Sequence, residues 1–335
     1  MTSAIRIRLL VFVSLEDRVE RVSVETRGSA LRLLEAEQLF ARVGNTPLLP
    51  LQRMTSGLAP AVEVWVKAEW FNPAGSVKDR PASAIFRAGL QSGRLGAGQT
   101  LLDSTSGNMG IAYATFGAAL GIPVHLAIPG NAGRARLASL RVLGSDLTLT
   151  DPTEGSDGAR DVARRLAEVE PERFFYVDQY SNPANWQAHY ESTGPELIAQ
   201  TRGKLTHFVA GLGTTGTLTG AGRYLRQNAP QARLIAVQPD GPIHGLEGLK
   251  HLPTSHVPPI YDPTLADEVV HVSTEEAYSM ARRLARQEGL LVGLSSAAAA
   301  VAAMRIAEGE QSALIVVLFP DSGIKYLDLP FWNEA

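Results

Sequence analysis

The chain has 335 residues, enough for two domains or one large α/β unit, and its 45% hydrophobic and 19% charged residues exclude wholesale disorder. Its 31 basic and 34 acidic residues give a formal net charge of −3, so the sequence favours a small-molecule partner over nucleic acid or a membrane surface. The sequence contains no cysteine, which excludes disulfides, thiolate metal sites and a cysteine nucleophile and favours a cytosolic protein.

The first 40 residues contain one candidate targeting segment. Its apolar stretch from Leu9 to Val13 is too short for the core of a secretory signal or for a membrane span. We therefore interpret residues 1–40 as an N-terminal extension of unknown role.

From Val43 onward, short runs rich in β-branched residues alternate with longer stretches of helical character. Strands are predicted at residues 62–70, 124–129, 147–150, 174–178, 206–211, 234–239 and 313–320. Helices are predicted at residues 110–121, 158–170, 217–229 and 275–289. Several strands are apolar on both faces, as parallel strands covered by helices must be. The pattern predicts an α/β fold of βαβ units with a largely parallel sheet, whose ligands bind at the carboxyl ends of the strands.

The strongest local motif is the loop from Gly211 to Thr217, which links a predicted strand to a predicted helix. Its glycines let the backbone approach a ligand, and its hydroxyl groups at a helix N-terminus suit an anion such as a phosphate monoester. Because Gly211, Gly213 and Gly216 also match G-x-G-x-x-G and Asp240 follows the next strand, a dinucleotide site is an alternative. A purely structural glycine turn is a third possibility.

A second loop, STSGN at residues 104–108, has the same design of a strand, small hydroxyl residues and a helix. Its hydroxyl and amide donors suit a carboxylate. Serine and asparagine are also common helix N-caps, so a structural role explains the loop equally well.

Lys78 follows the turn-forming segment NPAGS and stands at the start of a predicted helix. Most lysines are solvated surface charges, but an amine in a desolvated pocket or near other cations loses its proton more readily and becomes a nucleophile or base. A lysine that can form a Schiff base, a phosphate loop and a carboxylate loop are together what pyridoxal phosphate chemistry on an amino acid requires. The three features in combination predict that cofactor.

Six segments, in this order and spacing, resemble signature segments of the fold-type II pyridoxal-phosphate enzymes, specifically cysteine synthases and their cystathionine β-synthase relatives. These segments are VGNTPLLPL, NPAGSVKDRPA, STSGNMGIA, QYSNPAN, GLGTTGTLTG and VGLSSAAA. The resemblance spans residues 43 to 327 and is closest to the B-type cysteine synthases. It implies two open, mostly parallel sheet domains of the tryptophan synthase β-subunit-like architecture. A large phosphate-binding domain would comprise residues 41–66 and 185–335, and residues 67–184 would form a smaller domain carrying the Schiff-base lysine and the carboxylate loop.

The resemblance also implies a role for each matching residue. Lys78 would hold pyridoxal phosphate as an internal aldimine, Asn108 would bind its 3-hydroxyl group, and Ser295 would meet its pyridine nitrogen. A neutral hydroxyl at that nitrogen favours β-elimination over transamination. The residues implied for the phosphate are Gly213, Thr214, Thr215, Gly216 and Thr217. Those implied for the substrate carboxylate are Thr105, Ser106 and Gln179.

Two positions depart from the family pattern. Met109 stands in the carboxylate loop where the family usually has threonine, so one hydroxyl group is lost and the backbone N–H remains. Lys250 stands where B-type enzymes often carry arginine, and it could receive a phosphorylated leaving group. The alternative interpretation of Lys250 is a solvent-exposed charge. Asp321 is expected near the serine that meets the pyridine ring.

These features predict a cytoplasmic, homodimeric enzyme, a transferase or lyase that makes L-cysteine from O-acetylserine or O-phosphoserine and a sulfur donor through an aminoacrylate. A cystathionine β-synthase or another β-substituted-alanine synthase is the alternative with the same cofactor. An inactive binding relative and an NAD-binding protein are the alternatives from other classes. Neither a metal nor a nucleic-acid or membrane partner is expected, because the histidines lack the spacing of metal ligands and the net charge is small.

Overall fold

The computed structural model describes residue 34 and residues 36–96, 98–105 and 107–333. Within them, ten strands form one sheet of six and one of four. The strands are β1 (Leu48–Pro50), β2 (Ala61–Ala68), β3 (Thr100–Ser104), β4 (Val124–Pro129), β5 (Asp146–Thr150), β6 (Phe174–Tyr176), β7 (His207–Gly211), β8 (Arg233–Pro239), β9 (Glu268–Val272) and β10 (Ser312–Phe319). The α-helices are α1 (Asp79–Gln91), α2 (Asn108–Leu120), α3 (Arg134–Val142), α4 (Gly155–Val169), α5 (Pro183–Ala188), α6 (Gly194–Thr201), α7 (Gly216–Asn228), α8 (Thr274–Arg283) and α9 (Leu294–Gly309).

The larger sheet has the strand order β1-β2-β10-β7-β8-β9 and is parallel except for the pairing of β1 with β2. Its inner strands are buried on both faces. Val209 and Val317 pack toward α9, whereas Phe208 and Leu318 pack toward α6 and α7. Because successive side chains of a strand point to opposite faces, covering both faces requires the continuous apolar runs seen in the sequence.

The smaller sheet has the order β5-β4-β3-β6, and all its pairings are parallel. Helices α1 and α2 cover one face, where Phe86 packs edge-on against Phe116. Ala159 and Ala163 of α4 cover the other face. Phe40 also packs against Phe116, so the end of the predicted N-terminal extension belongs to this core. Residues 1–33 and residue 35 lie outside the described part of the chain.

Two open, mostly parallel sheets confirm the predicted fold class. The predicted strand at residues 124–129 matches β4, and the other predicted strands match within one or two residues. The predicted helix at 275–289 is wrong in its second half, because α8 ends at Arg283 and a π-helical turn, Leu284–Glu288, follows. The domain boundaries at residues 66/67 and 184/185 stay a prediction; β2 of the larger sheet runs to Ala68. Every helix in the described residues is too short or too polar to span a bilayer.

Asp103 gives this fold a specific dependence on pH. Its carboxylate is fully buried on β3; burial raises its pKa to about 7, although hydrogen bonds from the Ser104 N–H and the Tyr113 hydroxyl oppose the shift. The unfolded chain has its ordinary pKa near 3.8. The folded state therefore binds more protons between these two values, and the contribution of Asp103 to stability is lost as the pH rises toward 7.

We expect Asp103→Asn to remove this loss. The free energy of unfolding of Asp103→Asn minus that of the unsubstituted protein should increase by about 2 kcal/mol from about pH 5 to pH 8. Urea denaturation at each pH measures both quantities. Asp328→Asn, an exposed change in the segment after β10, is the control and should leave the pH dependence unaltered. An Asp103→Asn protein with the same pH dependence as the parent would contradict this account.

Candidate active site

One cavity between the two sheets brings together most of the residues that the sequence singles out. Its walls come from the segment before α1, the loops after β3 and β7, and the start of α9. The predicted site residues in these walls are Lys78, Thr105, Asn108, Met109, Gln179, Gly213, Thr214, Thr215, Thr217, Lys250 and Ser295. Gly216 lies in the same loop as Thr215, and Ser106 lies outside the described residues.

Lys78 immediately precedes α1, and its side chain reaches the cavity. The turn before it depends on Gly75, whose φ of 81° is in the region that favours glycine. In the part of the chain that the structure describes, no hydrogen bond or ion pair engages the Lys78 amine. Burial lowers the pKa of Lys78, while the charges of Asp321 and Glu69 oppose this shift. The amine is therefore placed to act as a nucleophile or a base.

A buried network of charges anchors the start of α1 directly behind Lys78. The Arg80 guanidinium donates to both oxygens of Glu69, at 2.7 and 2.9 Å, and to both oxygens of Glu196, at 2.7 and 2.8 Å. Lys67 on β2 donates to Glu196 at 2.6 Å. Burial alone would raise the pKa of Glu196, but Arg80 and Lys67 outweigh it and lower that pKa to about 2. The network ties α1 to β2 and α6.

The loop from Gly211 to Thr217 meets the N-terminus of α7, where unpaired N–H groups favour an anion. Thr215 adopts a φ of 69°, which is strained for a β-branched residue. Its hydroxyl oxygen is buried and has no hydrogen-bond partner among the described residues. A strained backbone and an unsatisfied hydroxyl at a helix N-terminus together indicate a place for an anionic ligand.

A second segment packs tightly against this loop. A Cβ atom added to Gly213 would lie 2.2 Å from the carbonyl oxygen of Gly248, and one added to Gly211 would lie 2.5 Å from the Leu249 side chain. A side chain at Gly213 is therefore excluded by the backbone opposite, and one at Gly211 would require the Leu249 side chain to move. The glycines of the motif permit this close approach of two backbones, which brings Lys250 to the cavity.

The loop after β3 is held by its own hydroxyl group and by Gln179. Thr105 Oγ1 accepts hydrogen bonds from the N–H groups of Gly107, at 3.1 Å, and Gly110, at 3.2 Å, at the start of α2. Gln179 Nε2 donates to the Ser104 carbonyl at 2.6 Å. Thr105 therefore caps the start of α2, which is the structural role that the sequence offered for this loop. It also faces the cavity. The Met109 side chain is buried in the core beneath the loop.

Asn108, at the start of α2, contacts the segment that follows β10. Its Nδ2 donates to Asp321 Oδ2 at 2.7 Å, and its Oδ1 accepts from Lys325 Nζ at 2.7 Å. Tyr326 also donates to Asp321 Oδ2 at 2.7 Å. Burial raises the pKa of Asp321, while hydrogen bonds from Tyr326 and Asn108 and the charge of Lys325 oppose this. Ser295 faces the cavity from the first turn of α9.

Two ion pairs span the cavity between elements of the smaller sheet and the 247–250 segment. Lys250 Nζ donates to Asp157 at 2.8 Å, and Arg136 of α3 pairs with Glu247. The interpretation of Lys250 as a solvent-exposed charge is wrong, because this side chain is buried with its ammonium over the Tyr180 ring. Both cations at this end of the cavity are therefore paired with carboxylates.

Sequence reasoning did not assign His189 to the site, because its partner in the Gly211–Thr217 loop is distant in the chain. His189 lies beneath this loop, with Nε2 3.3 Å from Thr217 Oγ1, and its Nδ1 is 2.9 Å from Thr193 Oγ1. Burial lowers its pKa well below the usual value, and the charges of Arg80 and Lys78 lower it further. It is part of the π-helical turn His189–Thr193, a type of irregularity that is frequent at functional sites. No local sequence signal distinguishes this histidine from a core residue.

Comparisons with known proteins agree with this geometry. The profile of the family described as pyridoxal-phosphate dependent enzyme matches residues 39–321. The cysteine synthase of Aquifex aeolicus is 47% identical over 89% of this chain and 93% of its own length. Cysteine synthase B of Escherichia coli is 39% identical over 87% of this chain and 95% of its own length. The crystal structure of the cysteine synthase of Entamoeba histolytica superposes with a TM-score of 0.84 at 31% identity, covering 89% of this chain and 90% of that one.

The fold and the cavity define an α/β enzyme whose reactive lysine, anion loop and carboxylate loop converge between two sheets. The chain belongs to the pyridoxal-phosphate dependent enzyme family. This membership confirms the predicted cofactor and disfavours the dinucleotide interpretation of the Gly211 loop.

Thr215 offers a way to separate stability from ligand binding. We expect Thr215→Gly to keep or raise the free energy of unfolding, by up to about 1 kcal/mol, because it relieves the positive φ. The same change should weaken binding of pyridoxal phosphate to the apoprotein about tenfold, because a hydroxyl donor is lost. Both quantities are measurable, by urea denaturation and by fluorescence titration.

Arg202→Gly is the matched control, since Arg202 also has a positive φ, 53°, but is exposed at the end of α6. It should relieve strain without changing the affinity for the cofactor. Unchanged binding by Thr215→Gly, or a loss of binding matched by a loss of stability, would contradict a role in the anion site.

Proposed function

We propose that this protein is a pyridoxal-phosphate-dependent cysteine synthase that exchanges the β-substituent of an O-activated serine for sulfide. One observation carries the proposal: Lys78, the Thr215 loop and the Thr105 loop face a single cavity. The curated cysteine synthases to which the chain is similar support this reaction over other β-replacements.

The residues present fit the cofactor. The N-terminus of α7 and the buried Thr215 hydroxyl, which has no partner in the part of the chain that the structure describes, suit its phosphate. We assign Gly213, Thr214, Gly216 and Thr217 to the same role. Lys78 would be its covalent anchor, and Ser295 and Asn108 would bind the ring nitrogen and the 3-hydroxyl group. When bound, pyridoxal phosphate draws electrons from the α-carbon of an attached amino acid, which permits loss of the α-proton and the β-leaving group.

The chain's own groups would then carry out positioning and proton transfer. Thr105 and Gln179, with Ser106 and the backbone N–H of Met109, would hold the substrate carboxylate. The Lys78 amine would take the proton from the α-carbon, and its lowered pKa leaves a larger fraction of it in the basic form. The ion pairs across the cavity would help to exclude water from the reaction.

The charges of the cavity favour O-acetylserine over O-phosphoserine as the donor. The ammonium of Lys250 is paired with Asp157, and the guanidinium of Arg136 is paired with Glu247. A phosphorylated leaving group would have to compete with a carboxylate for either cation, whereas an acetyl ester requires no cation. We therefore propose O-acetylserine as the substrate.

We further propose that the protein works in the cytoplasm as a homodimer on small molecules, an amino acid and a sulfur donor. The small net charge supports small molecules as the partners, since it provides no strong field for nucleic acid or a membrane surface. Light scattering of the purified protein would measure the oligomeric state.

Lys78→Ala tests the role of Lys78 as the covalent anchor of the cofactor and the base. We expect the variant to fold, because Lys78 ends in the cavity, but to lack the cofactor's protein-bound absorbance and to form no cysteine. In the unsubstituted protein, borohydride reduction should fix the cofactor to the peptide that contains Lys78. Lys204→Ala, an exposed change after α6, should behave like the parent. Normal turnover by Lys78→Ala would disprove the assignment.

Asp157→Asn tests the choice of donor. It removes the carboxylate that neutralises Lys250, so kcat/KM for O-phosphoserine should rise about tenfold relative to kcat/KM for O-acetylserine. Asp161→Asn, an exposed change on the same helix, is the control and should leave the ratio unchanged. A parent enzyme that already prefers O-phosphoserine, or an unchanged ratio in Asp157→Asn, would refute the donor assignment.

A further inference from the structure

Lys325 is a second lysine at the site, and it differs from Lys78 in its surroundings. It lies in the short helical turn Gly323–Tyr326 that follows β10. Its ammonium donates to Asn108 Oδ1 at 2.7 Å and to the Gly75 carbonyl oxygen at 3.3 Å. Asn108 is the first residue of α2, directly after the loop that follows β3, and Gly75 belongs to the turn before Lys78. One side chain thus connects the start of α2 and this turn to a third segment.

The contacts of Lys325 determine which way the Asn108 amide faces. An ammonium group has donors only, so it must face the oxygen of the amide. The amide nitrogen then donates to the carboxylate of Asp321 at 2.7 Å. In the reversed orientation, two donors would face each other at Lys325 and two acceptors at Asp321. The amide is therefore held in one orientation by a donor on one side and an acceptor on the other.

Lys325 is also surrounded by charged groups. Burial lowers the pKa of Lys325, the carboxylates of Asp321 and Asp79 oppose this shift, and the guanidinium of Arg136 adds to it. The ammonium of Lys325 is engaged by the Asn108 and Gly75 oxygens, unlike the Lys78 amine. Its contacts are those of a group that orients others.

We propose that Lys325 is a positioning residue of the cofactor site. It fixes the Asn108 amide so that the second N–H of the amide nitrogen, the one not donated to Asp321, is available to a ligand, and it links Asn108 to the Gly75 turn. This inference depends on the proposed function, in which the Asn108 amide binds the 3-hydroxyl group of pyridoxal phosphate. Lys325 would contribute to cofactor affinity through Asn108, without touching the reacting atoms.

The experiment is a double-mutant cycle. Its readout is the affinity of the apoprotein for pyridoxal phosphate, measured by fluorescence titration. Lys325→Met keeps an unbranched side chain, shorter by one heavy atom, and removes the charge, so it should weaken binding about tenfold. Lys325→Arg keeps a charged donor and should recover most of that loss. Lys204→Met, an exposed lysine after α6, is the control and should bind like the parent.

The decisive comparison uses Asn108→Ala. If Lys325 acts through Asn108, adding Lys325→Met to Asn108→Ala should weaken binding less than about twofold further. The absorbance maximum of the bound cofactor should shift in Lys325→Met and return toward that of the parent in Lys325→Arg. Circular dichroism on each variant verifies that the fold is kept; if Lys325→Met fails to fold, the same cycle is run with Lys325→Gln.

Unchanged affinity in the single variant, or a full tenfold loss in both backgrounds, would overturn this inference alone. In the second case Lys325 would support the site independently of Asn108. A parent protein that does not bind pyridoxal phosphate would instead overturn the proposed function, and this inference with it.

Discussion

The placement of the reactive lysine depends on one buried set of charges. Arg80 lies between the carboxylates of Glu69 and Glu196, and Lys67 adds a second cation, so the four charges sum to zero. Removing one partner of such a set typically costs about 3–5 kcal/mol because an uncompensated charge remains buried. Since Arg80 is two residues from Lys78, the network fixes the first turn of α1 against β2 and α6, and with it the origin of the Lys78 side chain.

This rigidity permits unfavourable local features elsewhere in the cavity. Thr215 has a strained backbone and an unsatisfied hydroxyl group, and each is a cost that persists only when the surrounding structure enforces it. The tight contact between Gly213 and Gly248 supplies that enforcement. An anion at the start of α7 would accept a hydrogen bond from the Thr215 hydroxyl. Binding would then remove the free-energy cost of the unsatisfied hydroxyl, which adds to the affinity for the ligand.

The sequence was informative where structure follows from local composition. The apolar run of β4 and the glycines of the Gly211 loop could be interpreted from neighbouring residues, because burial on both faces and close backbone approach each require particular residue types. Strand β9 was not predicted, since it is an edge strand that exposes Glu268 and Val269. Glu69 and Lys325 could not be assigned either, because their partners are contributed by other segments of the chain and only the fold brings them together.

The contacts across the cavity differ in kind from those that stabilise each sheet. The apolar clusters of the two sheets are separate, and the contacts that span the cavity are polar, as in Lys250 with Asp157 and Lys325 with Asn108. Breaking an ion pair or hydrogen bond in water costs little, because water replaces the lost partner, whereas exposing apolar surface does not allow such replacement. Polar contacts of this kind can be exchanged for water while both apolar cores stay buried, whereas the Arg80 network keeps α1 tied to β2 and α6.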